Sequence, residues 1–329
     1  MMYSRIVTHD DMDGIVSAAV CSYYYHIEDI YFTGPYAIAD CKVQVEPSDI
    51  VCDLPYVPNC GLWFDHHLGN KEALEYRGIN IDSLPGSFEL KDSCGRVIYD
   101  FLDKESIQWP EYLTRTLDEI DVIDSFAYSC KEDWLANTFG KLINNTLLLP
   151  FSANTNGIEY MRNLVYAIRD YPLEDIVEFD WVKVRIQEYA EREQEIIQTI
   201  QNCVRFLPED KESALPIIDL TDLNYRPFIV RPMSFVLYPQ SKAVVVVQNQ
   251  FIHGVKQHNL NFSMSLGFYF YKKNHKKDLG SIMAELGIGD GHPGAAGGRA
   301  LCTSKSDMFR TKEKLLKQIF RLWQSQPEK

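Results

Sequence analysis

The stretch that decides the fold is residues 4–26, SRIVTHDDMDGIVSAAVCSYYYH, near the start of the chain. Its first part, SRIVT, predicts a β-strand, and GIVSAAVCSYYYH predicts a helix. Between them, THDDMDG (8–14) places one histidine and three aspartates in seven positions. Carboxylates this close repel one another unless they lie in open solvent or face a cation. The sequence therefore predicts a strand, an acidic loop and a helix, with a divalent cation as the candidate counter-charge.

Short apolar runs follow, each bounded by Gly, Pro or Asp, as is typical of buried strands. They are DIYFTGPY (29–36), SDIVCDLP (48–55) and GLWFDHH (61–67). Their alternation with helical segments predicts an α/β fold with a parallel sheet. Histidines and aspartates end three of the strands, at the edge where open α/β sheets bind ligands. These residues are His9, Asp11, Asp13, Asp53, Asp65, His66 and His67.

The remaining chain predicts more helices and a second sheet. SFELKDSCGRVIYDFLDK (87–104), PEYLTRTLDEIDVIDSF (110–126) and most of 155–207 have helical periodicity. FIVRPMSFVLYP (228–239), KAVVVVQNQ (242–250) and NLNFSMSLGFYFY (259–271) predict strands, and 305–323 predicts a basic amphipathic helix. We expect a mainly parallel N-terminal sheet flanked by helices, a helical connector and a smaller C-terminal α/β domain with a mixed sheet. The expected bounds are 1–180, 181–214 and 215–329.

Composition limits the classes of function. The 329 residues carry a formal net charge of −13, which disfavours binding to long nucleic acid through phosphate attraction. No apolar stretch predicts a membrane span, and the first residues do not have the pattern of a signal peptide, so we expect a cytoplasmic protein that does not bind membranes. The eight cysteines are scattered without a Cys-x-x-Cys pair, and we expect reduced thiols rather than disulfides or a zinc ribbon.

Two histidine motifs together indicate a metal site. His-x-Asp-x-Asp alone is weak, because acidic turns often lie in solvent or cap helices. The sequence Asp65-His66-His67 at the end of another strand strengthens it, since burying two adjacent histidines without partners is costly. Mixed imidazole and carboxylate ligands suit Mn²⁺ or Mg²⁺ better than the thiolate-rich sites of structural zinc.

A further ligand is expected in the helix that contains DEIDVIDS (118–125). At about 100° per residue, Leu113, Leu117 and Ile120 form one apolar stripe. Asp124 continues that stripe, and an aspartate on an apolar face is explained by a bound metal. Asp121 lies at the edge of the stripe and is the second choice. The alternative for Asp124 is a helix-terminal aspartate turned to solvent.

GDGHPGAAGG (289–298) is a second candidate site, with five glycines around His292. Glycines at 289, 291, 294, 297 and 298 allow close approach of the backbone, so that N–H groups could surround an anion. The alternative is a plain glycine-rich turn. A Walker A loop is excluded, because Gly-Lys-Ser/Thr is absent.

Together these motifs resemble the DHH phosphoesterases that carry a DHH-associated C-terminal domain. The resemblance rests on HDDMDG, the aspartate of VCDLP, DHH at 65–67, the aspartate of IDS and the late GDGHPGAAGG, in that order over nearly the whole chain. The family includes oligoribonucleases with 3′-phosphoadenosine-5′-phosphate phosphatase activity, single-strand exonucleases, cyclic-dinucleotide phosphodiesterases and exopolyphosphatase-like proteins. The resemblance implies a two-metal site on the first domain and a site that binds phosphate or nucleotide on the second.

The resemblance also implies roles for individual residues. His9, Asp11 and Asp53 would hold one metal, and a second metal would be held by Asp13, Asp53, His66 and Asp124. Asp53 would then bridge the pair, with Mn²⁺ as the first candidate and Mg²⁺ as the second. Catalytic roles would fall to Asp65, His67 and His292, and substrate would contact His67, Gly289, Gly291, His292, Gly297 and Gly298.

Two departures from the family leave the substrate open. Many relatives have an arginine in the strand before the glycine motif, and SMSLGF (263–268) has none. The usual Gly-Gly-Gly-His is Gly289-Asp290-Gly291-His292 here, which adds a negative charge beside the expected phosphate site.

We therefore expect a divalent-metal-dependent phosphoesterase acting on a short oligonucleotide, a phosphorylated nucleotide or a cyclic dinucleotide. The alternatives are a hydrolase of polyphosphate or pyrophosphate, and a nucleotide sensor without turnover. The expected partner is the small phosphorylated substrate, and a homodimer stays open.

Overall fold

The computed structural model describes residues 3–104, 107–151, 156–270 and 273–328, which form two compact units. The N-terminal unit contains residues 1–127 and 137–189, and the C-terminal unit contains residues 128–136 and 190–329. No helix in the described ranges combines the length and apolar character needed to cross a bilayer.

The N-terminal unit is built on a five-stranded, all-parallel sheet. Its strands have the order β2-β1-β3-β4-β5 and are β1 (Arg5–Thr8), β2 (Asp29–Phe32), β3 (Asp49–Cys52), β4 (Leu62–Asp65) and β5 (Gly86–Phe88). Every residue of β3 and β4 is buried, as expected of central strands covered on both faces. Because β1, β3 and β4 are parallel, the loops that follow them lie at the same edge of the sheet.

Helices surround this sheet. They are α1 (Met12–Tyr25), α2 (Pro35–Ala39), α3 (Leu68–Tyr76), α4 (Cys94–Asp103), α5 (Glu111–Asp124), α7 (Phe139–Leu148), α8 (Gly157–Asp170) and α9 (Leu173–Ile176). Apolar residues of α1, α4, α5 and α8 pack with the sheet in one core. Thus the first turns of α1 and α4 and the last turn of α5 come to the edge where β1, β3 and β4 end.

The C-terminal unit has a mixed six-stranded sheet of order β10-β11-β9-β8-β7-β6. The strands are β6 (Val204–Arg205), β7 (Ile217–Asp219), β8 (Ala243–Ile252), β9 (Val255–Leu266), β10 (Gly289–His292) and β11 (Ala295–Ala300). Only the β7–β8 pair is parallel among the described strands of this sheet. Its helices are α6 (Lys131–Leu135), α11 (Met233–Leu237), α12 (Leu279–Glu285) and α13 (Lys305–Ser325), and α10 (Asp180–Cys203) runs from one unit into the other.

The predicted α/β fold class is confirmed, with a parallel first sheet and a mixed second sheet. The three-part division of the chain at residues 180 and 214 stays a prediction.

Two local predictions are wrong. The stretch 228–239 contains the short helix α11 and no strand, because Pro232, which lacks an N–H, suits the start of a helix. Residues 87–104 are not one helix: β5 ends at Phe88, and α4 begins only at Cys94, where the Ser93 hydroxyl accepts from the Arg96 N–H. The glycine-rich stretch 289–298, for which the sequence left a candidate anion site or a plain turn open, forms the β10–β11 hairpin.

Candidate metal centre

The acidic loop after β1 is shaped by the start of α1. Asp11 caps this helix by accepting from the Gly14 N–H at 3.0 Å, and its other oxygen lies 2.7 Å from His9 Nδ1. A Cβ at Gly14 would lie 2.3 Å from the carbonyl oxygen of His9, so only glycine permits this close approach. The loop therefore holds His9 and Asp11 side by side above the end of β1.

Asp53 follows β3 and has a left-handed backbone, with φ 57°. This conformation is uncommon outside glycine, and aspartate and asparagine tolerate it best among the other residues. The Asp53 N–H donates to the carbonyl oxygen of Phe64 at 3.0 Å, which secures the turn. The Asp53 carboxylate is buried, with Oδ2 3.5 Å from His9 Nδ1 and Oδ1 3.6 Å from His66 Nε2. Its two oxygens thus face different groups of side chains.

The two histidines that follow β4 have different partners. His66 Nδ1 lies 3.0 Å from the carbonyl oxygen of Lys91, so in the neutral ring the proton belongs on Nδ1 and Nε2 is the nitrogen available to a metal. His67 Nδ1 lies 2.8 Å from Oδ1 of the fully buried Asp65, whose Oδ2 accepts from the side-chain amide of Asn70 at 2.7 Å. Hence His66 is oriented by the backbone, and His67 is oriented by a carboxylate that is itself held in place.

Asp13 and Asp124 reach the site from α1 and α5. The buried Asp13 carboxylate accepts from the N–H groups of Cys94 and Gly95 at 2.7 and 2.9 Å, at the start of α4. Asp124 Oδ2 lies 3.4 Å from His66 Nε2, and Asp13 Oδ2 lies 3.5 Å from the same atom. His66 Nε2 therefore faces an oxygen from each of two helices.

Asp121, the second choice, is placed elsewhere. Its carboxylate accepts from the Ser93 hydroxyl at 2.6 Å and from Arg96 Nε at 2.8 Å. This contact ties α5 to α4 and uses both carboxylate oxygens, so Asp121 belongs to an ion pair instead of the cluster.

The described residues contain three groups of candidate ligand atoms. Within each group, the atoms lie within 4.8 Å of one another. The groups are His9 with Asp11 and Asp53; Asp13 with His66 and Asp124; and Asp53 with His66 and His67. Asp53 and His66 each occur in two groups. The six residues expected as ligands are thus brought together, and His67, expected as a catalytic residue, lies close enough to be counted with them.

Two buried polar atoms in these groups show that the residues fit a metal. Asp53 Oδ1 and His66 Nε2 have no hydrogen-bond partner in the part of the chain that the structure describes. Their separation of 3.6 Å exceeds the usual length of a hydrogen bond. It is within the span of two ligands of one ion, for which metal–ligand distances are about 2.1 Å. A buried unpaired carboxylate oxygen beside an unpaired imidazole nitrogen suits a hard or borderline divalent ion.

The pKa values show how much charge this site concentrates. Burial and the neighbouring Asp53 raise the pKa of Asp13 well above its usual value and that of Asp124 to about 7. Burial lowers the pKa of His9 and His66, but their carboxylate neighbours outweigh it and raise these values to about 11 and about 10. Without a metal, protonated histidines and protonation of the Asp13 carboxyl therefore reduce the negative charge of the site.

We expect the affinity for Mn²⁺ to rise with pH. Ligation needs neutral imidazole, and the raised pKa values leave His9 and His66 protonated at neutral pH until the metal replaces their protons. Each released proton adds about one unit of log K per pH unit. Calorimetric titrations at about pH 6 and about pH 8, in two buffers with different heats of ionisation, measure the Mn²⁺ affinity and the number of protons released on binding. An affinity independent of pH, with no proton release, would contradict this expectation.

The C-terminal unit presents His292 at the end of β10, in an exposed hairpin. His292 Nδ1 accepts from the Gly294 N–H at 3.2 Å, so the ring proton of the neutral form belongs on Nε2. Of the predicted substrate-contacting glycines, Gly289 and Gly291 lie in β10, and Gly297 and Gly298 lie in β11. A Cβ at Gly298 would meet Ile288 and Met283, so this residue faces the packed side of the sheet.

Sequence reasoning missed several supporting groups. Asn70, the carbonyl of Lys91 and the amides of Cys94 and Gly95 all hold site residues, and none carries a pattern of its own. Ser93, which caps α4 and bonds to Asp121 outside the cluster, does carry a pattern, since a serine just before an apolar run is a helix-start signal.

No family model matches the sequence, and no curated protein matches it. Among solved structures, the pGpG-specific phosphodiesterase PggH of Vibrio cholerae is similar over 97% of this chain and 99% of that protein, with TM-score 0.71 and 24% identity. A DHH domain from a member of a ribosomal-protein family is similar over 98% of this chain and 87% of that one, with TM-score 0.51 and 11% identity. The chain thus has the fold of these proteins, and its resemblance to DHH proteins is confirmed at the level of fold.

Proposed function

We propose that this chain, which has the fold of DHH proteins, is a divalent-metal-dependent phosphoesterase of the DHH family. The observation that carries the proposal is the placement of Asp53, whose one carboxylate oxygen faces His9 of the His9–Asp11 group and whose other oxygen faces His66, which is itself grouped with Asp13 and Asp124. A shared carboxylate suits two ions rather than one. His9 and Asp11 would complete one ligand set, and Asp13, His66 and Asp124 the other.

Two divalent ions there would supply a water of lowered pKa and positive charge beside the phosphoryl group. The chain itself positions the ligands: the Lys91 carbonyl sets the tautomer of His66, and the start of α4 orients Asp13. His67 has its Nδ1 held by Asp65, so its Nε2 is the nitrogen left to contact a phosphoryl oxygen or carry a proton. Asp65, fixed by Asn70, keeps that ring in one orientation.

The first candidate substrate is a linear dinucleotide. PggH, the protein of similar fold, is named for its action on pGpG, and the similarity covers nearly the whole of both chains. The formal net charge of −13 supports a small substrate over a long nucleic acid.

The experiment that tests this function is phosphate or nucleotide release from a substrate panel. The panel contains pGpG, short RNA, 3′-phosphoadenosine-5′-phosphate, cyclic dinucleotide, polyphosphate and pyrophosphate, each with Mn²⁺, with Mg²⁺ and with chelator. Metal-dependent cleavage of a nucleotide phosphoester supports the proposal. Cleavage of the phosphoanhydrides alone would favour the polyphosphatase alternative, and binding without turnover would favour a sensor.

His292→Ala is expected to lower kcat/KM by about one to two orders of magnitude. A charge-assisted hydrogen bond from Nε2–H to a phosphate contributes about 1.5–3 kcal/mol, at about 1.4 kcal/mol per tenfold. Mn²⁺ affinity should hardly change, because the candidate ligands lie in the other unit. The exposed His258 of β9 offers the matched control, and His258→Ala should keep full activity. Unchanged kinetics in His292→Ala would show that the hairpin is only structural.

A further inference from the structure

Strands β10, β11 and β9 present an open face formed by alternate residues. Phe262 and Met264 of β9 are buried, so the intervening Asn261, Ser263 and Ser265 lie on the opposite side. Their partners on β11 are Arg299, Gly297 and Ala295. A Cβ at Gly297 would meet nothing closer than 3.9 Å, which shows that this side is not covered within the described C-terminal unit. We call it the open face.

Asp290 and His292 extend the open face onto β10, because they pair with Gly297 and Ala295 in the antiparallel register. Residues two apart in a strand are separated by about 6.6–6.8 Å. Arg299 lies two residues beyond Gly297, diagonally across from Asp290. One face of the hairpin therefore carries an imidazole, a carboxylate and a guanidinium in that order, with only small side chains between them.

The charged side chains of Asp290 and Arg299 are exposed, and neither takes part in a hydrogen bond or an ion pair with another described residue. The contacts of Arg299 are made by its backbone, whose N–H donates to the Ile288 carbonyl. A carboxylate and a guanidinium placed diagonally on one face offer acceptors and donors to the same ligand. This combination does not suit a plain phosphate site, because the carboxylate repels an anion.

We propose that Asp290, assisted by Arg299, selects substrates with a guanine base. Guanine presents N1–H and the 2-amino group side by side, so one carboxylate can accept both in charge-assisted bonds. Its O6 and N7 are acceptors that an arginine can contact bidentately. The proposal rests on the proposed function and narrows its substrate class: His292 would contact the phosphate, and Asp290 would contact the base of the same nucleotide.

Adenine does not fit this arrangement. It has an acceptor at N1, which would face the carboxylate, and a donor at N6, which would face the guanidinium. A site built to bond a substrate N–H rejects analogues that lack it, because its polar groups are left unpaired. The aspartate in Gly289-Asp290-Gly291-His292 would therefore provide base specificity at the expense of some phosphate affinity.

Equilibrium binding of GMP, IMP and AMP to the full chain with Mn²⁺ tests this inference without requiring turnover. We expect GMP to bind about tenfold or more tighter than AMP, and IMP, which lacks the 2-amino group, to lie between them. Asp290→Gly and Asp290→Asn should weaken GMP binding to the level of AMP. Charge removal alone would strengthen binding of every nucleotide, so selective weakening of GMP is the diagnostic result.

The exposed Asp222, which follows β7 near the other edge of the sheet, is the control for lost charge, and Asp222→Asn should keep the preference for GMP. The ratio of kcat/KM for pGpG to that for pApA should fall in the same Asp290 variants. Equal binding of GMP and AMP, or a preference that survives both variants, overturns the inference. If GMP is preferred and no phosphoester is cleaved, the proposed function fails and the base selection stands.

Discussion

Asp53→Asn is expected to abolish turnover, with a loss of at least about 10³-fold in kcat. Asp53 is the residue whose oxygens face both His9 and His66, so an amide there would remove a charged ligand from both proposed metal positions at once. Metal ions contribute several kcal/mol of transition-state stabilisation, at about 1.4 kcal/mol per tenfold. The bound metal, counted by equilibrium dialysis with Mn²⁺, should fall together with the rate.

Asparagine is the informative replacement because Asp53 has a positive φ, which asparagine also tolerates. Thermal unfolding of the metal-free variant should therefore stay cooperative. Asp92→Ala serves as the control, since this aspartate is exposed and belongs to none of the described ligand groups. If Asp53→Asn binds two metals per chain and keeps a near-normal kcat, the assignment of Asp53 as the bridging ligand is wrong.

Asp124→Asn is expected to lower Mn²⁺ affinity and kcat by at least about 100-fold. Replacing groups that merely orient a metal ligand typically costs about 10- to 100-fold, and Asp124 faces the cluster directly through its contact with His66 Nε2. Burial and Asp53 raise the pKa of Asp124 to about 7, so the carboxylate is disfavoured there unless a cation accompanies it. Metal titration and steady-state kinetics measure the two effects.

Asp121→Asn is the matched control on the same helix. Asp121 bonds to Arg96 and Ser93, so its replacement should lower the free energy of unfolding by about 1 kcal/mol and leave the Mn²⁺ affinity nearly unchanged. The reverse order of effects, with the larger loss of metal in Asp121→Asn, would place the ligand one turn earlier in α5.

Local patterns were enough to predict four strands of the first sheet, β1 to β4, and the edge where histidines and aspartates follow them, whereas β5 lies in a stretch predicted as a helix. In residues 4–26, the apolar runs on either side of the acidic loop form β1 and α1. Both elements were predictable because the spacing of apolar residues over a short stretch indicates which side chains are buried. Local patterns were misleading where a helix-capping residue lies inside the stretch. Pro232 precedes the start of α11 in a stretch predicted as a strand. Ser93 caps α4, which therefore begins at Cys94 and not near residue 87.

The sequence by itself determined which histidines and aspartates are candidates for a site, which of them end strands, and that Asp124 continues an apolar stripe. Only the tertiary structure decided which atoms meet. Asp121 and Asp124 differ because Arg96 reaches one and His66 the other, and Asp290 lies on the same face as Arg299 because β10 pairs with β11 in this register. Such contacts join residues far apart in the chain or in different strands. Local periodicity predicts which residues share a face of a helix or strand, but not which other element packs against that face. The distances between these residues are therefore set by tertiary packing.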